Sequence, residues 1–411
     1  MKILVASINF YPDHSGIAIY STDLPMFFSE QGHTVSMVTG FSYYPKWEKM
    51  KNDKWILFRT ELFKKIKVFR GFLFVPKTVN TPKRILHEIS FVFFAFFNFI
   101  KAGRQDCIVI ISPPLLLGLI GVLFKWLWKA QLVFHIQDLQ PDAALSLGMI
   151  KPGIMIRILQ LVEKFIYKNS TWVATITKGM RNRLLEKGIP EDKLGLYYNW
   201  IDVEKSTQFC PKVEFLEKNT GVKGKFVIAY AGNIGVKQGV DVLVGAAEYL
   251  QNEKQIHILV IGEGAELPRL KKFAEQKRLE NLSFLPFLST EDYNQMLSEI
   301  NLSFVAQKPK TGNVFFPSKL LGIMAMGKPL LVSADLDSEL SLAVLNGGFG
   351  FAVSAGDSKA VAEAIRDLSK NPGLCYQMGE AGKKAVLEWD RNKVLGGFLD
   401  RIKQNSTSKS E

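Results

Sequence analysis

Short apolar runs alternate along the chain with longer amphipathic segments. The runs at 108–112 and 131–136 are apolar at almost every position, which predicts strands buried on both faces of a sheet. The segments between such runs carry apolar residues three or four positions apart, which predicts helices. Strands that alternate with helices indicate a parallel sheet with helices on both faces.

This alternation occurs twice, and it lapses in the polar stretch 202–225. We therefore predict an α/β protein with two Rossmann-like domains whose parallel sheets face a central ligand cleft. The first domain spans 1–205 and the second 206–385, and a C-terminal helix with a polar tail, 386–411, packs back toward the first. The predicted strands are 2–10, 34–39, 66–74, 108–112, 131–136, 171–177 and 194–198, then 226–231, 256–261, 282–287, 302–306, 329–333 and 349–353.

Composition supports two large cores. The chain has 411 residues, of which 47% are hydrophobic and 22% are charged, a globular composition. The three cysteines, Cys107, Cys210 and Cys375, lie far apart in the sequence. This excludes a disulfide framework and a thiolate zinc site, and it favours a reducing compartment.

Positive charge is concentrated in the first half. Residues 1–200 hold 26 Lys and Arg against 14 Asp and Glu, whereas 201–411 hold 26 against 25. Within 46–104 the ratio is 14 to 4. This excess indicates an anionic partner, either membrane lipid or nucleic acid, although a solvated surface is an equally good interpretation. The sequence contains no recognised nucleic-acid module, so we expect no nucleic-acid partner.

The most apolar run, 89–100, has 12 residues, fewer than the roughly 20 that a membrane-spanning helix needs. It predicts either a core helix or an in-plane membrane contact beside the basic residues of 46–104.

Three glycine-bearing loops could bind an anion through their backbone N–H groups. They contain Gly16, Gly232 and Gly264, and each precedes a predicted helix. None fits the dinucleotide fingerprint G-x-G-x-x-G or a P-loop, so a dinucleotide-dependent dehydrogenase is disfavoured and we expect no cofactor. A fourth segment places Ser318 and Lys319 at a helix start, where a cation is unfavourable unless an anionic ligand binds.

Polar residues also follow the strand at 131–136. His135 ends this apolar run and Asp138 comes shortly after it, where a reacting group could be contacted; a structural histidine is the alternative interpretation. The histidines have no metal-ligand spacing. Asp335 and Asp337 form a D-x-D pair, but capping of the next helix is a better explanation than a metal, and we expect no metal site.

The order of these motifs resembles the GT-B glycosyltransferases of family 4, in particular the colanic-acid and exopolysaccharide branch. The resemblance covers nearly the whole chain and rests on MKILVASINFYPDHSGIAIYS, YYPKW, FHIQDLQPDAALSLG, ATITKGMRNRLLEKG, YNWID, YAGNIGVKQG, IGEGAELPRL and PSKLLGIMAMGKP. It implies a retaining, metal-independent transfer from a UDP- or GDP-sugar to a lipid-linked saccharide, at the inner face of the cytoplasmic membrane.

The resemblance also implies roles for individual residues. His135 would contact the transferred sugar, with Asp138 nearby, and Gly16 would lie against the donor phosphates. Phe287 would lie near the base, together with Ser289. The other donor contacts would be Gly232, Asn233, Lys237, Gln238, Glu263, Gly264, Ser318 and Lys319.

Two departures from the wider family bear on these roles. That family carries two glutamates seven residues apart, and the matching positions here are Val314 and Gly322. It also carries an arginine where this chain has Asn233. A homologue with altered donor contacts or with lost activity is therefore an open alternative.

Two other functions remain open. A sugar-nucleotide 2-epimerase would share the fold but would need no acceptor. A non-enzymatic protein that uses the basic first half to bind membrane or nucleic acid would show salt-sensitive binding without donor turnover.

Overall fold

The structure is a computed structural model that describes residues 1–13, 16–44, 46–78, 80–140, 142, 145, 153–207, 214–309 and 319–407. The chain forms two compact units. The first contains Met1–Asn199 and Lys393–Glu411, and the second contains Trp200–Asn392.

The first unit is built on an eight-stranded sheet. Its strands are β1 (Lys2–Ala6), β2 (Thr34–Gly40), β3 (Phe58–Phe63), β4 (Ile66–Gly71), β5 (Cys107–Ser112), β6 (Gln131–Ile136), β7 (Trp172–Thr175) and β8 (Leu194–Leu196). They lie in the order β3-β4-β2-β1-β5-β6-β7-β8. All neighbours are parallel except β3 and β4, which form an antiparallel hairpin. The prediction missed β3 because FRTELF has three consecutive polar residues, Arg59 to Glu61, and so lacks the apolar run of a buried strand.

Helices cover both faces of this sheet. They are α1 (Ile17–Glu30), α2 (Thr81–Ala102), α3 (Leu117–Trp128), α4 (Ile154–Asn169) and α5 (Lys178–Glu186). The crossover through α1 runs toward one edge of the sheet, whereas those through α2, α3 and α4 run toward the other. Because such crossovers are right-handed, α1 lies on one face, and α2, α3 and α4 lie side by side on the opposite face.

Helix α2 is long and apolar enough to cross a membrane, by length and composition only, with a mean hydropathy of 1.5. In the fold it packs on the sheet, and Phe91, Ala95 and Phe99 are fully buried there. Among the described residues no other helix passes the same test.

The second unit has a six-stranded parallel sheet in the order β11-β10-β9-β12-β13-β14. Its strands are β9 (Phe226–Ala231), β10 (Ile256–Ile261), β11 (Leu282–Leu285), β12 (Leu302–Ala306), β13 (Leu330–Ser333) and β14 (Gly350–Val353). Its helices are α6 (Val203–Thr207), α7 (Phe215–Thr220), α8 (Asp241–Tyr249), α9 (Leu267–Lys277), α10 (Thr290–Glu299), α11 (Lys319–Ala325), α12 (Glu339–Gly347), α13 (Ser358–Ser369) and α14 (Pro372–Ala385).

The last helix, α15 (Arg391–Thr407), packs in the first unit. Phe398 contacts Phe28 of α1, with ring centroids 6.1 Å apart, so α15 covers the same sheet face as α1. The unit boundary lies at Asn199, a few residues before the expected 205. The physical reason is that Ile201 donates a backbone hydrogen bond to Trp389 and accepts one from Arg391, which ties it to the second unit.

Candidate functional site

Two glycine loops of the second unit lie against each other at the carboxyl ends of β9 and β10. The N–H of Gly232 donates to the carbonyl of Ile261 (2.9 Å), and the N–H of Ile234 donates to that of Glu263 (2.7 Å). These bonds extend the pairing of the two parallel strands beyond their ends. The loops after β9 and β10 therefore form one rigid layer of backbone.

Glycine is required at this contact. Gly262 and Gly264 have φ values of 134° and 156°, which side chains rarely adopt. A Cβ atom on Gly262 would lie 1.9 Å from the carbonyl oxygen of Gly232, and one on Gly264 would lie 2.3 Å from that of Ile234. The sequence predicted a donor contact for Gly264. In the structure, the close approach of the two loops is by itself sufficient reason for glycine at this position.

The structure does not support the predicted phosphate contact of the Gly232 N–H. The N–H of Gly232 is already bonded to Ile261, so it is not available to an anion. The N–H of the next residue, Asn233, has no partner among the described residues. Asn233 is also exposed, and its side-chain amide lies 3.5 Å from Gln238 Oε1.

Lys319 lies beside this loop although it is distant in sequence. Its Nζ is 3.6 Å from the ring centroid of Tyr230 and 3.4 Å from the carbonyl oxygen of Ala231. The hydroxyl of Tyr230 in turn donates to the carbonyl of Asn233 (2.6 Å), which fixes the loop over the same ring. Burial lowers the pKa of Lys319 to about 7. A bound anion would favour its charged form.

The other residues expected to contact the donor surround this point. Lys237 and Glu263 are exposed, and Gln238 is half-buried. The backbone of Lys237 is held by the N–H of Lys308 (3.1 Å). Phe287 follows β11 and is 49% exposed, so its ring is open to stacking. Since β9, β10 and β11 are neighbours in the sheet, these groups share one edge of it.

Four other positions that the sequence singled out have a different outcome. Ser318 and Val314 lie outside the described residues. Gly322 lies in α11, and a side chain there would enter open space. Ser289 caps α10 by accepting a hydrogen bond from the N–H of Asp292 (3.1 Å).

The position of His135 does not support the predicted sugar contact. The residue is 1% exposed, and its ring packs edge-on against Phe398 of α15 with centroids 5.6 Å apart. Its Nε2 lies 2.7 Å from the side-chain amide nitrogen of Gln137. Burial lowers the pKa of His135 to about 4, so the imidazole is neutral near pH 7. The structure therefore places His135 in the core beneath the C-terminal helix, and it favours the structural interpretation.

Gly16 and Asp138 lie at the same end of the first sheet. Gly16 is exposed, has a φ of 60° and immediately precedes α1. Asp138 is half-buried two residues after β6. Both follow the carboxyl ends of strands, although β5 separates β1 from β6 in the sheet.

A polar cluster that the sequence did not predict involves Asp13, which comes shortly before Gly16 in the chain. Asp13 is buried, and its carboxylate accepts hydrogen bonds from Asn9 (3.0 Å) and Ser42. Burial raises the pKa of Asp13. Arg70 donates to the carbonyls of Tyr11 (2.6 Å) and Gly40 (3.1 Å). The polar run that directly follows β1 was the available signal.

Capping of the next helix by the D-x-D pair was predicted, but neither aspartate caps it. Ser338 caps α12 instead, with its hydroxyl accepting from the N–H of Ser341 (3.2 Å). Within the part of the chain that the structure describes, no three His, Cys, Asp or Glu side chains are grouped so that they could hold a metal ion.

The chain is similar to known proteins over both units. Residues 15–200 match the family described as glycosyl transferase 4-like domain, and 212–385 match glycosyl transferases group 1. The colanic acid biosynthesis glycosyl transferase WcaI of Escherichia coli (strain K12) is 31% identical over 98% of this chain and 100% of that protein.

Solved structures are similar in fold. The sucrose-phosphate synthase of Thermosynechococcus elongatus has a TM-score of 0.75 at 18% identity, covering 99% of each chain. Anabaena Alr3699/HepE, solved in complex with UDP, has a TM-score of 0.72 at 15% identity, covering 98% of this chain and 100% of that one.

Proposed function

Because the chain belongs to glycosyltransferase family 4 and has its GT-B fold, we propose a retaining transfer of a sugar from a UDP- or GDP-sugar to a lipid-linked saccharide. The second unit binds the nucleotide sugar, and the first unit serves the acceptor. The reaction breaks the bond between the anomeric carbon and the diphosphate and forms one to an acceptor hydroxyl oxygen on the same face of the sugar. The proton of that hydroxyl passes to the departing nucleoside diphosphate.

The observation that carries this proposal is the position of Lys319 on the Tyr230 ring beside the loop that contains Asn233. The departing nucleoside diphosphate gains negative charge as the bond breaks, so catalysis needs positive groups and N–H donors at the diphosphate. Lys319 supplies the positive group and the N–H of Asn233 supplies the donor, on two segments that both contact Tyr230. The exposed ring of Phe287, at the same edge of the sheet, is suited to stacking on a base.

We further propose that the acceptor is presented at the inner face of the cytoplasmic membrane, where the protein binds peripherally. The basic excess of 46–104 supports contact with anionic lipid. The similarity to a protein named for colanic acid biosynthesis supports a polysaccharide pathway.

A transfer assay tests the proposal. UDP- and GDP-sugars are incubated with the purified protein and with lipid-extracted saccharides, and product is detected by mass spectrometry. We expect transfer with one donor class and loss of at least about tenfold in donor affinity in Lys319→Ala, because a hydrogen bond to a charged group contributes about 1.5–3 kcal/mol.

Lys277→Ala is the matched control, since Lys277 pairs with Glu248 on the surface of the same unit. Unchanged donor use in Lys319→Ala would contradict the assignment of the site. If the protein converts a sugar nucleotide to its 2-epimer without an acceptor, its function is epimerisation and the proposed transfer is wrong. Turnover of no sugar nucleotide would leave a binding protein.

A further inference from the structure

The outer faces of α2, α3 and α4 form one exposed apolar surface, named here the three-helix face. On α2, the exposed apolar residues follow one another at helical spacing along its whole length, as they do on α3 and α4. These three helices carry 15 of the 32 large apolar residues that are exposed among the described residues. The residues are Ile85, Leu86, Ile89, Phe93, Phe97, Ile100, Leu119, Leu123, Trp126, Leu127, Ile154, Met155, Ile158, Leu161 and Phe165.

The surface is continuous across the helices. Beneath the surface, Phe96 of α2 packs against buried Phe124 of α3, with ring centroids 5.8 Å apart. At the surface, the exposed rings of Trp126 on α3 and Phe165 on α4 are in contact, with centroids 6.2 Å apart. Soluble monomers rarely expose contiguous apolar patches of more than a few hundred Å². A face of this extent therefore indicates a partner.

Charge on the same helices identifies the partner. Their sequences contain seven Lys or Arg and two acidic residues, and both acidic side chains are turned inward. Glu88 accepts hydrogen bonds from Gln140, and Glu163 from Tyr167 and Lys187. The exposed charges, such as Arg157 and Lys164, are therefore all positive. A second copy of this chain would bring the same positive charges together, whereas an anionic bilayer complements them.

Helix α2 does not need to leave the sheet for this contact. The Asn98 amide donates a hydrogen bond to the carbonyl of Phe69 in β4 (3.4 Å), and Ser90 accepts one from the N–H of Phe74 in the segment that follows β4 (2.8 Å). A spanning orientation would break these bonds and expose buried polar groups to lipid. The fold therefore favours a helix that lies in the plane of the membrane.

We propose that the three-helix face inserts into the headgroup and upper acyl region of an anionic bilayer, with α2, α3 and α4 in the membrane plane. This deepens the membrane contact of the proposed function, on which it rests, and it moves most of that contact out of 46–104, since α3 and α4 lie beyond it. Lys64, on the β3–β4 hairpin, lies instead beside α1, with Nζ 3.7 Å from Met26 Sδ.

Vesicle co-sedimentation of the full chain tests this proposal. The face variant is Phe93→Glu, Leu127→Glu and Leu161→Glu, one exposed position on each helix. The control variant, Tyr249→Glu, Leu345→Glu and Tyr376→Glu, adds the same charge at exposed apolar positions of the second unit. We expect the wild type and control to bind phosphatidylglycerol vesicles, and the face variant to bind at least about tenfold more weakly, a change of about 1.4 kcal/mol.

Insertion has its own readout. Brominated lipid should quench tryptophan fluorescence in the wild type and less in Trp126→Phe, and part of the binding should persist in high salt. Loss of binding only in Lys64→Glu, Lys65→Glu, Lys67→Glu would overturn the proposal in favour of the hairpin. Equal binding of the face and control variants, or a lipid-free dimer that the face variant dissociates, would also overturn it.

Activity on a short soluble acceptor separates the two proposals. The face variant should keep this activity and lose transfer to a lipid-linked acceptor in vesicles. Normal vesicle binding without any transfer would contradict the proposed function alone. Thermal melting of each variant confirms that it is folded.

Discussion

The ammonium of Lys319 and the ring of Tyr230 form one unit, with Nζ 3.6 Å from the ring centroid. The ring stabilises the charged form of the lysine, whereas burial opposes it and lowers its pKa to about 7. In the free protein this lysine is therefore only partly protonated near neutral pH, and a bound anion can raise its protonated fraction.

Donor binding should consequently depend on pH. Above pH 7 the lysine must take up a proton when the diphosphate binds, so affinity should fall with rising pH by up to about tenfold per unit. Calorimetry with a UDP-sugar between pH 6 and 9 measures this dependence. Lys319→Arg, which stays charged, should remove it; the same slope in that variant would show that another group titrates.

The Tyr230 hydroxyl should contribute through the loop. Tyr230→Phe keeps the ring under Lys319 but removes the hydrogen bond to the Asn233 carbonyl, which contributes about 1 kcal/mol. We expect nucleotide affinity to fall about fivefold with the pH dependence unchanged. Calorimetry on this variant and on the surface control Tyr249→Phe checks the effect. A larger loss with an altered pH profile would mean that Lys319 had moved.

The contact between the two glycine loops should tolerate no side chain. Gly262→Ala places a methyl group against the carbonyl of Gly232, so either the loops separate or the backbone shifts. We expect nucleotide binding to be lost and stability to fall by about 2 kcal/mol or more. Gly373→Ala, where open space surrounds the new methyl group, is the control. Denaturant unfolding and nucleotide titration of both variants decide the matter, and near-normal binding in Gly262→Ala would be the contrary result.

His135 provides a test between a catalytic and a structural role. Because its ring packs on Phe398 in the core, His135→Ala should leave a cavity and lower the free energy of unfolding by about 2–4 kcal/mol. The folded fraction should retain its specific activity. A loss of turnover of about 10²-fold at unchanged stability would instead restore the catalytic role.

Acid should destabilise the fold through buried histidines. The pKa values of His87, His135 and His257 are all lowered to about 4 by burial, whereas unfolded histidines titrate near 6.5. Between these values the unfolded state binds more protons, so stability is lost as pH falls from about 6.5 to about 4. At pH 5 we expect each histidine to lower the free energy of unfolding by up to about 2 kcal/mol. Urea unfolding at pH 7 and pH 5 measures the difference, and His135→Leu should reduce it.

The fold could be predicted in most of its elements because buried parallel strands have a strong sequence signal. The strands β6, β9 and β10 have the predicted bounds. The hairpin strand β3 could not be found in the same way, since half of its residues are polar.

The sequence was sufficient to predict which loops form the candidate site, but not which of their residues contact each other. Gly232 and Lys319 stood out from the sequence, but their proximity depends on strand order, which periodicity does not reveal. The structural setting of His135 could not be predicted for a similar reason. A polar residue at the end of an apolar strand has the same pattern whether a ligand or a helix covers it, and α15, which lies far along the chain, decides the outcome.

The return of α15 to the first unit has a consequence for synthesis on the ribosome. The whole of Trp200–Asn392 is made after the first sheet and before the helix that completes its core. Until α15 emerges, the apolar surface around Trp172 and His135 lacks its cover. The second unit is a continuous stretch of chain that can fold as it is made. We therefore expect the N-terminal half of the nascent chain to fold last, and to depend on chaperones until α15 has emerged.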